Sequence, residues 1–168
     1  YEKFLKTELD IVIGKTSTEL DSRKKTVRTG EAAIGNLIAD AMRDGVDADI
    51  AIANGGGIRA KKIYAPGTSI TRRDMLTEMP FGNVVVKLRL TGAQIWDALE
   101  NGVSQVENNA GRFPQVSGLS FTYKKGVSKG SRIVSVKIGG QNLNKNRSYT
   151  VATNNYAAGG GDGYSVFK

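Results

Sequence analysis

The chain has 168 residues, 24 Lys plus Arg against 16 Asp plus Glu, a formal net charge of +8, and neither Cys nor His. Its length and its 39% hydrophobic and 24% charged residues fit one globular domain with a substantial core, and no apolar run approaches the roughly 20 residues of a membrane span. Without Cys or His there are no disulfides, thiol nucleophiles, thiolate or imidazole metal ligands, or histidine-based triads, and the basic surplus points to an anionic partner: a nucleotide, a nucleic acid or an acidic surface.

The chain opens Tyr1-Glu2-Lys3-Phe4, without Met and without a signal peptide, and reads as a piece of something longer. Residues 1–10 are expected to be a helical lead-in or linker remnant. A basic stretch follows at Arg23-Lys24-Lys25-Thr26-Val27-Arg28, a pattern that usually marks a solvated face. From Glu31 to Gly45 the spacing predicts an amphipathic helix: Ile34, Leu37, Ile38, Ala41 and Met42 form one face and Asn36, Asp40, Arg43 and Asp44 the other. Ala48 to Ala53 reads as a buried strand emptying into Asn54-Gly55-Gly56-Gly57.

Thr71 to Met79 is expected to be a short helix, with Thr71 as N-cap, Asp74 three residues on and Pro80 as its end. Asn83 to Leu90 reads as a strand with Val84, Val86, Leu88 and Leu90 on one face and Lys87 and Arg89 on the other. Thr91 and Gln94 form a capping box that opens a helix through Ile95, Ala98, Leu99 and Val103. The rest switches to period two. Leu119, Phe121 and Tyr123 alternate with polar residues, as do Val134, Val136 and Ile138; Gly139-Gly140 supplies a hairpin turn and Tyr149 to Thr153 a further strand. Mixed elements with a strand-rich, hairpin-connected second half predict an α+β fold with a mixed sheet rather than a doubly wound parallel one.

Several clusters can carry chemistry. Gly55-Gly56-Gly57-Ile58-Arg59-Ala60 has the letters of a dinucleotide fingerprint, but Pro66 and Gly67 leave little room for the helix that fingerprint requires, and no Walker loop is present. Two readings remain: a tight turn with a solvated Arg, or a loop that lets a ligand approach the backbone while Arg59 contacts an oxyanion. In Asn154-Asn155-Tyr156-Ala157-Ala158-Gly159-Gly160-Gly161-Asp162-Gly163-Tyr164, Asp162 either satisfies backbone amides of a long turn or accepts two ligand hydroxyls, with Tyr156 as a flat face for a base. Phe81, between Pro80 and Gly82, is either a core plug or, with Tyr156, half of an aromatic clamp. Asp40, Asp44, Asp47 and Asp49 follow no calcium-loop spacing and read as solvated surface.

Taken in order, Val27-Arg28, Glu31-Ala32-Ala33-Ile34-Gly35-Asn36-Leu37, Asn54 to Arg59, Pro80-Phe81-Gly82-Asn83-Val84-Val85-Val86 and Asn155 to Tyr164 resemble the C-terminal domain of the 5'-nucleotidase family, which includes UDP-sugar hydrolases. The resemblance covers residues 11–168. It implies a layered α/β/β/α domain that recognises a nucleotide or nucleoside, without catalytic residues or metal of its own. A separate N-terminal metallophosphoesterase domain, absent from this chain, would hold two divalent metal ions and do the hydrolysis. It further implies that Arg28 contacts phosphate, that Asn54, Gly56 and Arg59 line the glycine motif, that Phe81 and Tyr156 sandwich the base, and that Asp162 receives the ribose hydroxyls. Two departures stand out: Tyr156 where Phe is common, and Asn36 where some bacterial members carry Arg.

The implied parent is a secreted, periplasmic or cell-surface 5'-nucleotidase or cyclic-nucleotide phosphodiesterase, with no nucleic-acid or membrane contact by this domain. Two rival readings stay open: a basic nucleic-acid-binding module, supported by the +8 charge and the run at Arg23 to Arg28, and a structural domain without a ligand.

Overall fold

The computed structural model describes residues 7–168. The expected lead-in at 1–10 therefore lies largely outside the described residues; within them, residues 7–9 form one helical turn.

The fold is built on a four-stranded mixed sheet. Its members are β3 (Ile50–Asn54), β6 (Val85–Thr91), β7 (Pro114–Ser117) and β11 (Ser148–Asn154), in the order β6-β11-β3-β7. Only β3 and β11 run parallel, in the register Val151↔Ile50; the other pairs are antiparallel. All five residues of β3 are buried, and its period-two alternation divides the core. Ile50 and Ile52 pack with Ile95, Leu99 and Val103 of helix α4 (Gly92–Val103), while Ala51 and Ala53 pack with Ile34, Ile38 and Met42 of helix α2 (Ala33–Gly45).

The small β3 residues let α2 lie close to the sheet, and so does Gly35, where a Cβ would sit 2.1 Å from Gln115 Oε1. This contact redraws the expected helix face. Ile34, Gly35, Ile38, Ala39 and Met42 are buried, whereas Leu37 is 44% exposed and Ala41 is exposed. Gly35 and Ala39 belong to the buried stripe because they permit close approach, although neither contributes a strong apolar signal.

On the α4 side lies a three-stranded antiparallel sheet of β8 (Leu119–Tyr123), β9 (Ile133–Ile138) and β10 (Gln141–Asn142), so the domain is layered and mixed α/β as expected. Gly139 and Gly140, at φ +56° and +78°, make the β9–β10 hairpin turn. The expected inward face of β9 holds at Val136 and Ile138, which meet the core, and fails only at the start of the strand. Ile133 and Val136 are buried and Val134 is 52% exposed. The register slips opposite Tyr123, where the backbone N–H groups of Arg132 and Ile133 both donate to buried Glu100 of α4 (3.0 and 2.8 Å) and turn Ile133 inward.

Short elements complete the other side: β1 (Val12–Lys15) pairs with β5 (Ser69–Thr71), and β2 (Leu20–Asp21) with β4 (Ile63–Tyr64). Helix α1 (Lys24–Val27) is a single turn inside the basic stretch, and α5 (Asn155–Ala158) follows β11 directly. The expected capping box forms on α4 through Thr91 and Gln94, and the expected N-cap Thr71 of α3 (Arg72–Glu78) makes a second one with Asp74. Because Thr71 ends β5 and Thr91 ends β6, each box turns a strand straight into a helix. Strand β6 starts at Val85, and Val84, expected on its buried face, is 60% exposed.

Candidate functional site

The carboxyl ends of parallel neighbours β3 and β11 place Asn54 and Asn154 side by side, the edge at which α/β sheets commonly present ligand sites. Asn154 Oδ1 accepts from Ala157 N (2.9 Å), capping α5, and its Nδ2 donates to Asn54 Oδ1 (2.8 Å). Asn54 Nδ2 in turn donates to Asp162 Oδ2 (2.7 Å). This relay joins the two glycine clusters through side chains whose polar atoms are all used.

Beyond Asn54 the chain makes a single 3-10 turn, Gly55–Gly57, and then extends, so no helix follows and the dinucleotide-loop reading fails on geometry. Gly55 N donates to Phe113 O (2.8 Å) and Gly56 N to Gly111 O (2.7 Å). The approach is too close for side chains: a Cβ on Gly55 would stand 2.0 Å from Val27 O, and one on Gly56 2.8 Å from Gly111 Cα and 3.2 Å from Asp162 Oδ2. Asp162 occupies the left-handed region at φ +53°. Its backbone is held by Asn101 Nδ2 donating to its carbonyl (3.2 Å) and by its N–H donating to the Tyr156 hydroxyl (3.2 Å). The Asp162 carboxylate receives side-chain donors, Asn54 Nδ2 and, at 3.5 Å, the Tyr156 hydroxyl, so it is not the amide-satisfying turn residue of the alternative reading.

Phe81 and Tyr156 are 57% and 48% exposed, which removes the core-plug reading of Phe81. Their segments are tied together: Val84 N donates to Asn155 Oδ1 and Asn155 N to Val84 O, both 3.0 Å. The Arg59 guanidinium lies 5.3 Å from the Phe81 ring centroid, a cation–π contact that orients it. Fully buried Glu78 supports this corner. Its backbone carbonyl accepts from Arg59 N (2.8 Å), and its carboxylate accepts from Ala60 N (3.1 Å) and the Tyr64 hydroxyl (2.9 Å), which with burial raises the Tyr64 pKa.

Arg28 donates through one terminal nitrogen to Asn109 O (3.4 Å), while its Nε is buried with no hydrogen-bond partner. Burial pushes its pKa down, as does the charge of Arg59, and Asp162 pulls it up. Such a desolvated guanidinium beside a second one is a poor solvated surface and a good receptor for an oxyanion. The loop bearing Arg28 is positioned by buried Gln115, whose Nε2 donates to Val27 O (3.0 Å) and Gly30 O (2.9 Å) and whose Oε1 accepts from Ala32 N (3.2 Å). A cleft of about 180 Å³ opens here, lined by Lys24, Arg28, Ile58, Arg59 and Lys61.

Thus direct contacts join Asn54, Gly56, Tyr156 and Asp162, a cation–π contact joins Arg59 to Phe81, and electrostatics link Arg28 to both groups. Asn36 donates to Glu31 Oε1 (2.7 Å) on the outer surface of α2. Sequence reasoning missed Glu78, Asn101 and Gln115. No local pattern marks them, since their partners are remote in the chain or in a neighbouring loop.

A family model described as "5'-nucleotidase, C-terminal domain" matches residues 12–168. The trifunctional nucleotide phosphoesterase protein YfkN of Bacillus subtilis is 45% identical over 96% of this chain and 12% of its own length. Protein UshA of Escherichia coli is 35% identical over 95% of this chain and 27% of its own. Among solved structures, a 5'-nucleotidase precursor from Thermus thermophilus superposes with a TM-score of 0.89 and 38% identity, covering 99% of this chain and 34% of that one. The chain therefore spans only a minor part of the relatives it matches.

Proposed function

The chain belongs to the family of 5'-nucleotidase C-terminal domains, and on that premise we propose that it recognises the substrate for a larger enzyme that hydrolyses nucleotide phosphate esters. In this reading, residues 11–168 form the recognition domain. The base stacks between Phe81 and Tyr156, the ribose hydroxyls donate to Asp162, and the phosphate meets Arg28 and Arg59. Asn54 holds Asp162 in place, and Gly56, without a side chain, lets the glycine turn close up against Gly111 and the Asp162 carboxylate that the ligand would meet.

The observation that carries the reading is that two half-exposed rings on hydrogen-bonded segments each have a charged neighbour, the Asp162 carboxylate at Tyr156 and the Arg59 guanidinium over Phe81, and that neither Arg59 nor the nearby Arg28 has an ion-pair partner among the described residues. Aromatic faces, a hydroxyl acceptor and an anion receptor are the groups that the base, ribose and phosphate of a nucleotide require.

Among the described residues no group of three or more His, Cys, Asp or Glu could hold a metal ion, so these residues do not fit the two divalent ions implied by the family. We assign those ions to an N-terminal metallophosphoesterase domain of the same polypeptide. Bound there, such ions would supply Lewis-acid activation of water and charge neutralisation. The contribution of this chain is orientation of the ester and part of the charge neutralisation. No helix among the described residues is long and apolar enough to cross a membrane, and the proposed setting is secreted, periplasmic or cell-surface.

Titration calorimetry tests the reading. Adenosine and AMP should bind the chain, and Phe81→Ala and Tyr156→Ala should each weaken both by roughly 5- to 150-fold, the equivalent of about 1–3 kcal/mol of stacking. Unchanged affinity in both variants, or salt-sensitive binding of mixed oligonucleotides that adenosine does not compete, would overturn it.

A further inference from the structure

We propose that Lys24 and Lys61 form a second phosphoryl subsite beside Arg28 and Arg59, so that the site prefers ligands carrying a pyrophosphate over those carrying one phosphate. This inference rests on the nucleotide reading above and names the substrate class it selects.

Lys24 begins α1, and Lys61 follows the glycine turn by four residues, yet both line the same cleft of about 180 Å³ as Arg28, Ile58 and Arg59. That lining holds four cationic side chains and no carboxylate. One chain neighbour of each lysine is held in an ion pair, although Lys25, the other neighbour of Lys24, has no such partner among the described residues. Arg23 pairs with Asp21 at 2.8 Å and Lys62 with Asp74 at 3.4 Å, whereas Lys24, Arg28, Arg59 and Lys61 have no ion-pair partner among the described residues.

Lys61 is also held in an uncommon conformation, at φ +58°. The backbone is anchored on both sides of it: Ala60 N donates to Glu78 Oε2 (3.1 Å), and Lys62 N donates to Ser22 Oγ (2.9 Å). The position of Lys61 is therefore set by the packing around it rather than by its own preference. Asp162 is a carboxylate whose charge reaches Arg28, and it is engaged with Asn54 on the ribose side of the site.

The charge balance decides the ligand class. A terminal phosphate carries about −1.5 to −2 near neutral pH, which the two arginines match. Two further cations in the same cleft match an adjoining phosphoryl group. Lysines, as compact point charges with rotatable donors, suit the second group, while the forked arginines suit the first.

The test compares adenosine, AMP and ADP by calorimetry at fixed ionic strength, with inorganic phosphate and pyrophosphate as probes that do not use the base site. The wild-type chain should bind ADP about tenfold more tightly than AMP, and pyrophosphate more tightly than phosphate. In Lys24→Ala/Lys61→Ala the ADP-to-AMP ratio should fall to about one, with adenosine affinity unchanged and AMP affinity lowered less than that of ADP. Lys124→Ala/Lys125→Ala, which lowers net charge equally at a distance, should keep the wild-type ratio. Equal wild-type affinity for AMP and ADP, or an undiminished ratio in the cleft variant, overturns the proposal. Loss of adenosine and AMP binding with a persisting lysine-dependent pyrophosphate preference would instead refute the base and ribose assignment alone.

Discussion

Replacing Asp162 by Asn removes one charge and one acceptor oxygen with almost no change of shape, so its consequences follow from the hydrogen bonds around it. An ionised carboxylate offers about four acceptor positions. Asn54 Nδ2 takes one on Oδ2 at 2.7 Å, and the Tyr156 hydroxyl takes another on Oδ1 at a long 3.5 Å. The remaining positions can receive two vicinal ribose hydroxyls. In Asp162→Asn the surviving carbonyl oxygen is claimed by Asn54, and an NH2 group faces the ligand. At least one charge-assisted hydrogen bond to ribose is lost, a change of about 1.5–3 kcal/mol, or roughly 10- to 150-fold in affinity. Folding should suffer far less, by under about 1 kcal/mol, because the Asn54 bond persists in neutral form.

The assay is a double-mutant cycle in which the second change is made in the ligand. Adenosine, 2'-deoxyadenosine and 3'-deoxyadenosine are titrated into wild type and Asp162→Asn, with urea unfolding run in parallel. Wild type should discriminate against both deoxynucleosides, and the variant should lose most of that discrimination. If the variant binds adenosine within twofold of wild type, or keeps the full penalty for a missing hydroxyl, Asp162 does not receive the ribose.

Three further outcomes follow from contacts around the site. Glu78→Ala strands the buried Tyr64 hydroxyl and the Ala60 N–H and should lower unfolding free energy by about 2–5 kcal/mol in urea titrations, with Glu78→Gln costing less than half as much; equal costs would show that the acceptor is not what matters. Gly55→Ala drives a Cβ to 2.0 Å from the rigid carbonyl of Val27 and should destabilise by about 1–3 kcal/mol or more. Gly57→Ala, whose nearest neighbour is Asn54 Oδ1 at 3.6 Å, should stay within about 0.5 kcal/mol, and thermal melts that do not separate the two would contradict the packing described here. The carboxyl of Asp21 is held well below the usual carboxylate range chiefly by its hydrogen bonds to Arg23, helped by Thr26. A depressed folded pKa stabilises above the unfolded value of about 3.9 and is lost as pH falls through the folded one. The stability gap between wild type and Asp21→Asn should therefore be widest near pH 7 and close on acidification below about pH 4; a gap independent of pH would rule out the carboxylate as its source.

What was legible in the sequence was what short-range chemistry writes. The helix caps at Thr71 and Thr91, the Gly139-Gly140 turn and the buried run of β3 each involve residues within a few positions of one another. The misreadings have long-range causes. Leu37 and Ala41 are exposed because the sheet meets Gly35 and Ala39, and Ile133 rather than Val134 turns inward at the start of β9 because Glu100, more than thirty residues away, binds the amides there. Strands β1, β2, β4 and β5 went unread because each is two to four residues long and pairs across a wide sequence gap, as Leu20 does with Tyr64.

The site divides in the same way. Its glycines, rings and charged groups could be named from motifs, but what holds the Asp162 carboxylate depends on the parallel pairing of β3 with β11. That pairing sets Asn54 against Asn154 across a hundred residues of chain, and the relay from Asn154 through Asn54 to Asp162 exists only once it has formed. Gln115 and Glu78 then fix the two arginine-bearing loops from below, by hydrogen bonds to backbone that carry no sequence pattern. The arrangement is consequently a property of the central sheet rather than of any loop. If the proposed nucleotide reading holds, substitutions at these buried supports should weaken binding of adenosine, AMP and ADP together, whereas Phe81→Ala should weaken all three through the base and Lys61→Ala chiefly ADP.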